Sequence, residues 1–259
     1  MKTATYVLLN LLFIIAAGCA QKRLPQVSHT SHGEAPKECV ILLHGLARTS
    51  KSMLPLEQAL HAQHYRVVNV DYPSRAFTVE ILAEKAIPPA LVACRHPTIN
   101  KIHFVAHSLG GILVRQYLDK EKIPELGRVV MLAPPNRGSQ IVDNLKMLPP
   151  FGWINGPAGK ELGTEATSLP NRLGAVDFDL GVIAGTTSVN LLLSLYLPNP
   201  DDGKVSLENT KIDGMQDFIS LPVSHPYIMK DEDAITQIIH YLQHGQFLRA
   251  HVTADNKEF

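Results

Sequence analysis

Six short apolar runs alternate with segments of helical periodicity, and this alternation constrains the fold more than any other feature of the sequence. The runs, each of strand length, cover residues 39–43, 66–70, 102–106, 128–132, 180–184 and 218–223. A 3.6-residue periodicity marks the longest stretches between them, at residues 52–64, 78–94, 109–120 and 231–244. Strand and helix in repeated succession predict an α/β fold, with a mainly parallel sheet of about six strands and helices on both faces.

A site can be anticipated from this architecture before any motif is considered. Right-handed crossovers place the carboxyl ends of all parallel strands at one edge of the sheet, which is where ligands bind in open α/β sheets. Functional side chains are therefore expected in the loops that directly follow the strands.

The length and the composition of the chain are typical of one globular domain. Of its 259 residues, 45% are hydrophobic and 19% are charged. Lys and Arg balance Asp and Glu at 24 each, and the sequence has no basic stripe or zinc-finger pattern. Nucleic acid is therefore not an expected partner.

The first 37 residues are expected to precede the folded domain. Lys2 is followed by an uncharged run over residues 6–20, too short to span a bilayer but typical of a secretory signal. The small residues before Cys19 resemble the lipobox of bacterial lipoproteins, although Ala16 stands where Leu is usual. We predict a signal peptide over residues 1–18, a lipid anchor on Cys19 and a tether over residues 19–37.

Lipidation would hold the exported protein at the periplasmic face of a membrane. Ala20, in a position where Asp would retain a lipoprotein, favours the outer membrane. Ordinary signal cleavage, giving a soluble periplasmic or secreted protein, is the alternative.

The sequence AHSLGG at residues 106–111 carries the strongest chemical signal. It follows an apolar strand and opens a helix, the context of a nucleophile elbow that lifts a serine hydroxyl above the sheet. Such a sharp turn leaves room only for small residues two before and two after the serine, as Ala106 and Gly110 are. Ser108 is therefore the candidate nucleophile, and the alternative is a serine that only caps a helix.

These features resemble the α/β-hydrolase superfamily, and within it bacterial esterase- and lipase-like proteins. The strand ending in His44-Gly45, the elbow, the sequence APPNRGS at residues 133–139 and DGKV at residues 202–205 occur in the expected order. The first recognised strand falls where the third usually stands, so the resemblance implies a minimal member of the superfamily over about residues 38–245.

The resemblance also implies the other site residues. The acid is expected after the strand at residues 180–184, where Asp202 matches and Asp201 remains an alternative. Of the histidines that follow, His225 comes directly after the last strand, whereas His240 and His244 share a helix face and His251 lies in the polar tail. The main-chain N–H groups of Leu46 and Leu109 are the expected oxyanion donors, and His44 is expected to be structural.

This constellation predicts a serine hydrolase that cleaves carboxylic esters through a Ser-His-Asp triad and an acyl-enzyme. No metal or cofactor is expected, and the partner is a small-molecule or lipid ester. An acyltransferase or thioesterase with the same triad is the alternative enzyme. An inactive lipid-anchored binding protein is the alternative of another class.

Three further segments have weaker signals. Residues 134–177 are too long and too rich in Gly and Pro for a plain crossover, and are predicted to form a small cap at the active-site edge. Phe151, Trp153 and Ile154 are expected to pack within that cap. The apolar run at residues 191–197 is expected to be a buried helix, with lining of an acyl pocket or contact with the membrane as the alternatives. Residues 246–259 are expected to form a tail.

Cys39 and Cys94 would face an oxidising compartment after export. In the strand order of the superfamily, the strand that begins at Cys39 neighbours the strand that follows Cys94. The resemblance thus implies that both cysteines lie at the edge of the sheet opposite the active site. A disulfide and two separate buried thiols are both consistent with this placement.

Overall fold

The computed structural model describes residues 35–189 and 194–249, and its centre is a parallel sheet. The six strands are β1 (Glu38–Leu43), β2 (Arg66–Val70), β3 (Lys101–His107), β4 (Leu126–Leu132), β5 (Leu180–Gly185) and β6 (Asp217–Leu221). Their order is β2-β1-β3-β4-β5-β6, with every neighbouring pair parallel. The predicted α/β architecture with about six strands is confirmed.

Helices occupy the connections between the strands, and one more helix follows β6. They are α1 (Leu54–Ala62), α2 (Val79–Cys94), α3 (Leu109–Lys120), α4 (Gln140–Leu145), α5 (Pro149–Lys160), α6 (Leu169–Arg172), α7 (Leu207–Thr210) and α8 (Glu232–His244). Short 3-10 helices occur at Ser50–Met53 and Ile228–Lys230. Among the described helices, none is both long and apolar enough to cross a membrane.

The sheet is buried on both faces, which explains why its strands read as apolar runs rather than as alternating patterns. In β1, Ile41 and Leu43 pack into the hydrophobic cluster that includes α2 and α3. Val40 and Leu42, which point to the opposite face, pack into the cluster that includes α1 and α8. Two helical layers therefore enclose one sheet.

Sequence periodicity located most element ends to within two residues, and β6 shows why some ends differ. The predicted strand continued to Val223, but the observed ladder stops at Leu221. There the N–H of Val223 donates to the carbonyl of Leu221 (2.8 Å), a tight turn that takes the chain out of the sheet.

The packed domain continues into the predicted tail. Phe247 is buried, and its ring packs against Tyr241 with centroids 4.8 Å apart. The packed domain thus extends past residue 245.

A disulfide joins Cys39 at the start of β1 to Cys94 at the end of α2, with a Cα–Cα distance of 5.7 Å. Both residues are fully buried. Because β1 begins at this edge and its carboxyl end leads to Gly45, the bridge lies at the edge of the sheet away from Ser108. The structure thus favours the bridge over two separate thiols.

The segment between β4 and β5 forms the helices α4, α5 and α6. The expectation that its large side chains pack within it is wrong for two of the three. Trp153 is 83% exposed and Ile154 is 57% exposed, whereas Phe151 packs against the core. Trp153 lies about 200° around the helix from Phe151, since each residue turns the chain by about 100°.

Residues 1–34, 190–193 and 250–259 are outside the described residues. They include the predicted signal peptide, Cys19, most of the tether, His251 and the first part of the apolar run at residues 191–197. At the end of that run, Leu195 is 81% exposed and Leu197 is buried.

Candidate active site

Ser108 lies on a strained turn between β3 and α3. Its φ of 53° and ψ of −119° fall in a region that residues with a side chain rarely adopt. Gly110 is needed for the turn to approach β1, since a Cβ there would lie 2.6 Å from the carbonyl oxygen of Leu43. The turn therefore has the backbone strain and the close packing of a nucleophile elbow.

Ser108, His225 and Asp202 form a continuous hydrogen-bonded chain. Ser108 Oγ lies 3.0 Å from His225 Nε2, and His225 Nδ1 lies 2.7 Å from Asp202 Oδ2. The carboxylate requires a proton on Nδ1, which leaves Nε2 free to accept the serine proton. The three residues come from loops after β3, β6 and β5, at the carboxyl edge where the sheet topology predicts a site.

Asp201 and Asp202 are neighbours in sequence with different partners. Besides His225, Asp202 accepts the N–H groups of Lys204 (2.9 Å) and Val205 (2.8 Å) through Oδ1. Asp201 instead accepts the N–H of Gly203 (2.7 Å) and the hydroxyl of Ser194 (2.9 Å). The structure therefore brings Asp202, and not Asp201, to the histidine.

The other histidines in the described part of the chain have different surroundings. His44 stacks on Tyr72, with ring centroids 4.1 Å apart, and burial lowers its pKa. Its Nδ1–H donates to the carbonyl of Gly45 (2.9 Å), while Nε2 accepts the N–H of Tyr72 (3.3 Å). His240 and His244 contact each other on α8, and the described residues include no group of three metal-binding side chains.

Leu46 lies in the loop after β1, and Leu109 directly follows Ser108. The loop that carries Leu46 passes so close that a Cβ on Gly45 would lie 2.7 Å from His107 Nδ1 and 3.2 Å from Ser108 Cβ. Ala47 in the same loop donates its N–H to Ser74 Oγ (3.0 Å). Leu109 is the first residue of α3, so its N–H has no intrahelical acceptor.

His107 is a contact residue that the sequence analysis did not identify. Its Nε2–H donates to the main-chain carbonyl of His225 (3.0 Å), and the two rings are 4.8 Å apart. Burial, followed by the nearby His225, lowers the pKa of His107 well below its usual value. The hydrogen bond ties the elbow to the loop that presents His225. The position of His107 next to Ser108 could have identified it in the sequence as a residue of the site. Nothing in the sequence indicates that its partner is His225.

The APPNRGS sequence connects loops around the site. Asn136 donates through Nδ2 to the carbonyl of Thr210 (2.8 Å), and Ser139 Oγ donates to the carbonyl of Lys204 (2.7 Å). Arg115 on α3 donates to the carbonyls of Asn136 (2.9 Å) and Gly174 (2.8 Å), while burial lowers its pKa to about 10. The first two bonds join the segment between β4 and β5 to the segment between β5 and β6, and the bonds of Arg115 join it to α3.

A cavity of about 700 Å³ opens onto Ser108 and His225. The segment between β4 and β5 supplies most of its apolar lining: Ile141, Val142, Leu145, Leu148, Phe151, Ile154 and Leu162. The predicted cap segment therefore lies beside the candidate active site. Such a volume suits a small organic ligand, and its apolar wall suits a hydrocarbon chain.

Comparisons with known proteins identify the family of the chain. Residues 40–252 match the sequence profile of the alpha/beta hydrolase family. The chain therefore belongs to the alpha/beta hydrolase family. No match was found among curated protein sequences.

Solved structures share the fold at low sequence identity. The propeptide form of the Bacillus licheniformis lipase BlEst2 is similar with a TM-score of 0.65 and 18% identity, covering 86% of this chain and 53% of that one. Its mature form gives a TM-score of 0.60 and 16% identity, covering 83% and 95%. The metagenomic carboxyl esterase MGS0156 gives 0.58 and 17% identity, covering 81% and 71%.

Proposed function

We propose that the protein is a serine hydrolase that cleaves carboxylic esters. The observation that carries this proposal is the hydrogen-bonded chain from Ser108 through His225 to Asp202, with distances of 3.0 and 2.7 Å, at the wall of an apolar cavity. The fold shared with bacterial lipases and a carboxyl esterase supports the same reaction class.

The mechanism follows from the position of each group. His225 Nε2 takes the proton of Ser108 as Oγ attacks the ester carbonyl, and Asp202 stabilises the imidazolium that forms. The N–H groups of Leu46 and Leu109 would hold the oxyanion, each contributing about 3 kcal/mol to transition-state stability. His225 then protonates the leaving alcohol, and water hydrolyses the acyl-enzyme by the same route.

An acyltransferase or thioesterase would use the same nucleophile and the same base. An alcohol acceptor would replace water in the first case, and a thiol would leave in the second. Products formed with and without an added alcohol distinguish transfer from hydrolysis, while matched oxygen esters and thioesters compare the leaving groups.

The direct test uses a fluorophosphonate probe and a short p-nitrophenyl ester. We expect the purified protein to be labelled at Ser108, and Ser108→Ala and His225→Ala each to lower turnover about 10³-fold or more. Ser220→Ala and His240→Ala, outside the cavity lining, are matched controls that should retain both labelling and turnover. Circular dichroism checks that all variants fold.

Full turnover in Ser108→Ala would refute the proposal. A folded wild-type protein that neither reacts with the probe nor cleaves any ester would support an inactive binding protein instead.

A further inference from the structure

We propose that the cavity takes amphiphilic esters with a negatively charged group, which Arg48 and Lys204 bind beside Ser108. This inference rests on the proposed ester hydrolysis and adds a substrate class to it. The charged group would be a phosphate, sulfonate or carboxylate on one half of the ester, with an apolar chain on the other half.

The charges in the cavity lining are unbalanced. Arg48 and Lys204 are both among the lining residues, and the lining includes a single carboxylate, that of Asp202, in the described part of the chain. That carboxylate is already held by His225 Nδ1 and by two main-chain N–H groups. Within the described residues, Asp202 forms its ion pair with His225 and none with either cation.

Neither cation forms a salt bridge within residues 35–189 and 194–249. Arg48 and Lys204 are both exposed. The half-buried Arg128 and Lys146 do find partners, in Asp179 (3.1 Å) and Glu165 (2.6 Å). Two cations without such partners at the wall of a cavity can bind an incoming anion.

Each cation belongs to a loop that also carries a group of the proposed site. Arg48 lies two residues after Leu46, in a turn closed by its own N–H and the carbonyl of Gly45 (3.3 Å). Lys204 lies two residues after Asp202, and its main chain is held by Asp202 Oδ1 (2.9 Å) and Ser139 Oγ (2.7 Å). The main chain thus fixes both attachment points near the reacting serine.

The electrostatic environment of the lysine agrees with this arrangement. Lys204 is exposed, but partial desolvation beside the cavity lowers its pKa. The charge of Asp202 partly opposes that shift, and the positive charge of Arg48 lowers the pKa further. Both cations line the same cavity, and the charge of Arg48 acts on Lys204 less strongly than that of Asp202 does. A bound anion would offset both the desolvation and the repulsion.

The remaining wall determines the other half of the ligand. Leu145, Leu148 and Phe151 line the cavity from the segment between β4 and β5. An apolar chain against these residues and an anion at the two cations would place an ester between them, within reach of Ser108. An amphiphilic ester with an apolar chain and one negatively charged group fits both parts of this wall.

The experiment compares two matched pairs of esters by kcat/KM. The first pair consists of the hexanoyl esters of 4-hydroxybenzenesulfonate and of neutral 4-hydroxybenzenesulfonamide, which differ in the charge of the leaving group. The second consists of p-nitrophenyl adipate, with a free carboxylate, and its methyl ester, which differ in the charge of the acyl group. Each rate is normalised to hydroxide-catalysed hydrolysis of the same ester.

We expect the anionic member of at least one pair to be preferred at low salt, by about fivefold for each cation that contacts it, or about 1 kcal/mol. The preferred pair identifies which half of the ester carries the anion. Arg48→Gln and Lys204→Gln should each reduce the preference, the double variant should abolish it, and 0.5 M NaCl should weaken it. Lys51→Gln, an exposed cation outside the cavity lining, is the matched control and should leave it unchanged.

Cleavage of the neutral esters without any charge preference, or a preference that survives in the double variant, would overturn this inference alone. Absence of ester cleavage together with absence of probe labelling at Ser108 would overturn the proposed function and this inference with it.

Discussion

Two adjacent carboxylates perform different tasks, because each takes its partners from a different part of the loop. Asp202 reaches His225 with one oxygen and two main-chain N–H groups with the other. Asp201, which is 3% exposed, holds Gly203 and Ser194. A shift of the loop by one residue would exchange these tasks, so the loop conformation decides the identity of the acid.

This arrangement predicts opposite effects for two conservative substitutions. Asp202→Asn should lower kcat about 10³- to 10⁴-fold, because an amide NH₂ next to Nδ1 would favour the wrong imidazole tautomer. Asp201→Asn should leave kcat within a few-fold and lower the free energy of unfolding by about 1 to 2 kcal/mol through weaker loop hydrogen bonds. Steady-state kinetics and urea denaturation measure the two effects. A severe loss of kcat in Asp201→Asn with a mild loss in Asp202→Asn would contradict the assignment.

At the scale of elements, β1 runs from the edge of the sheet that carries the disulfide to the edge that carries the candidate active site. Its first part carries the disulfide to α2, and its last residue, Leu43, leads into the loop that passes under the elbow. The bridge closes a loop with a sequence separation of 55 residues. It should therefore affect stability more than catalysis.

The chain-entropy model gives this bridge about 4 kcal/mol of stabilisation, before any strain is subtracted. We expect Cys39→Ala/Cys94→Ala to lower the free energy of unfolding by about 2 to 4 kcal/mol and to retain kcat for a short ester. Chemical denaturation of oxidised and of reduced wild-type protein separates the effect of the bond from that of the removed sulfur atoms. Two thiols that can be alkylated in denatured but unreduced protein would show that the bridge is absent in solution.

At the scale of the whole molecule, we propose that the protein is exported and anchored to a membrane through Cys19. The proposal is based on the sequence of the first twenty residues. Exposed apolar side chains on the segment between β4 and β5, among them Met147 at 84% and Trp153 at 83%, suit a protein that works near lipid.

The proposed anchor predicts that the mature chain, made in its own host, begins at a diacylated Cys19 and sediments with membranes. Mass spectrometry of the N-terminal peptide tests this directly, and Cys19→Ala is expected to release the protein to the soluble fraction. An unmodified N-terminal peptide that starts at another residue would instead identify a soluble exported protein.

Much of the fold could be predicted because its causes are local. Apolar runs of strand length and the 3.6-residue periodicity give the order and the type of the elements, and α3 begins and ends at the predicted residues, Leu109 and Lys120. Small residues around Ser108 mark the elbow, because a sharp turn against β1 excludes larger ones. Trp153 failed as an indicator of packing, because a residue type does not specify which side of a helix faces the core.

The sequence by itself determined the parallel sheet, the position of the elbow and the set of residues from which an acid and a base could come, since these depend on neighbouring residues in the chain. The tertiary structure alone decided between Asp201 and Asp202, joined Cys39 to Cys94, tied His107 to His225 and placed Arg48 and Lys204 at one cavity. Each of these depends on the distance between loops that are far apart in the chain, and only the packing of the strands and helices sets that distance.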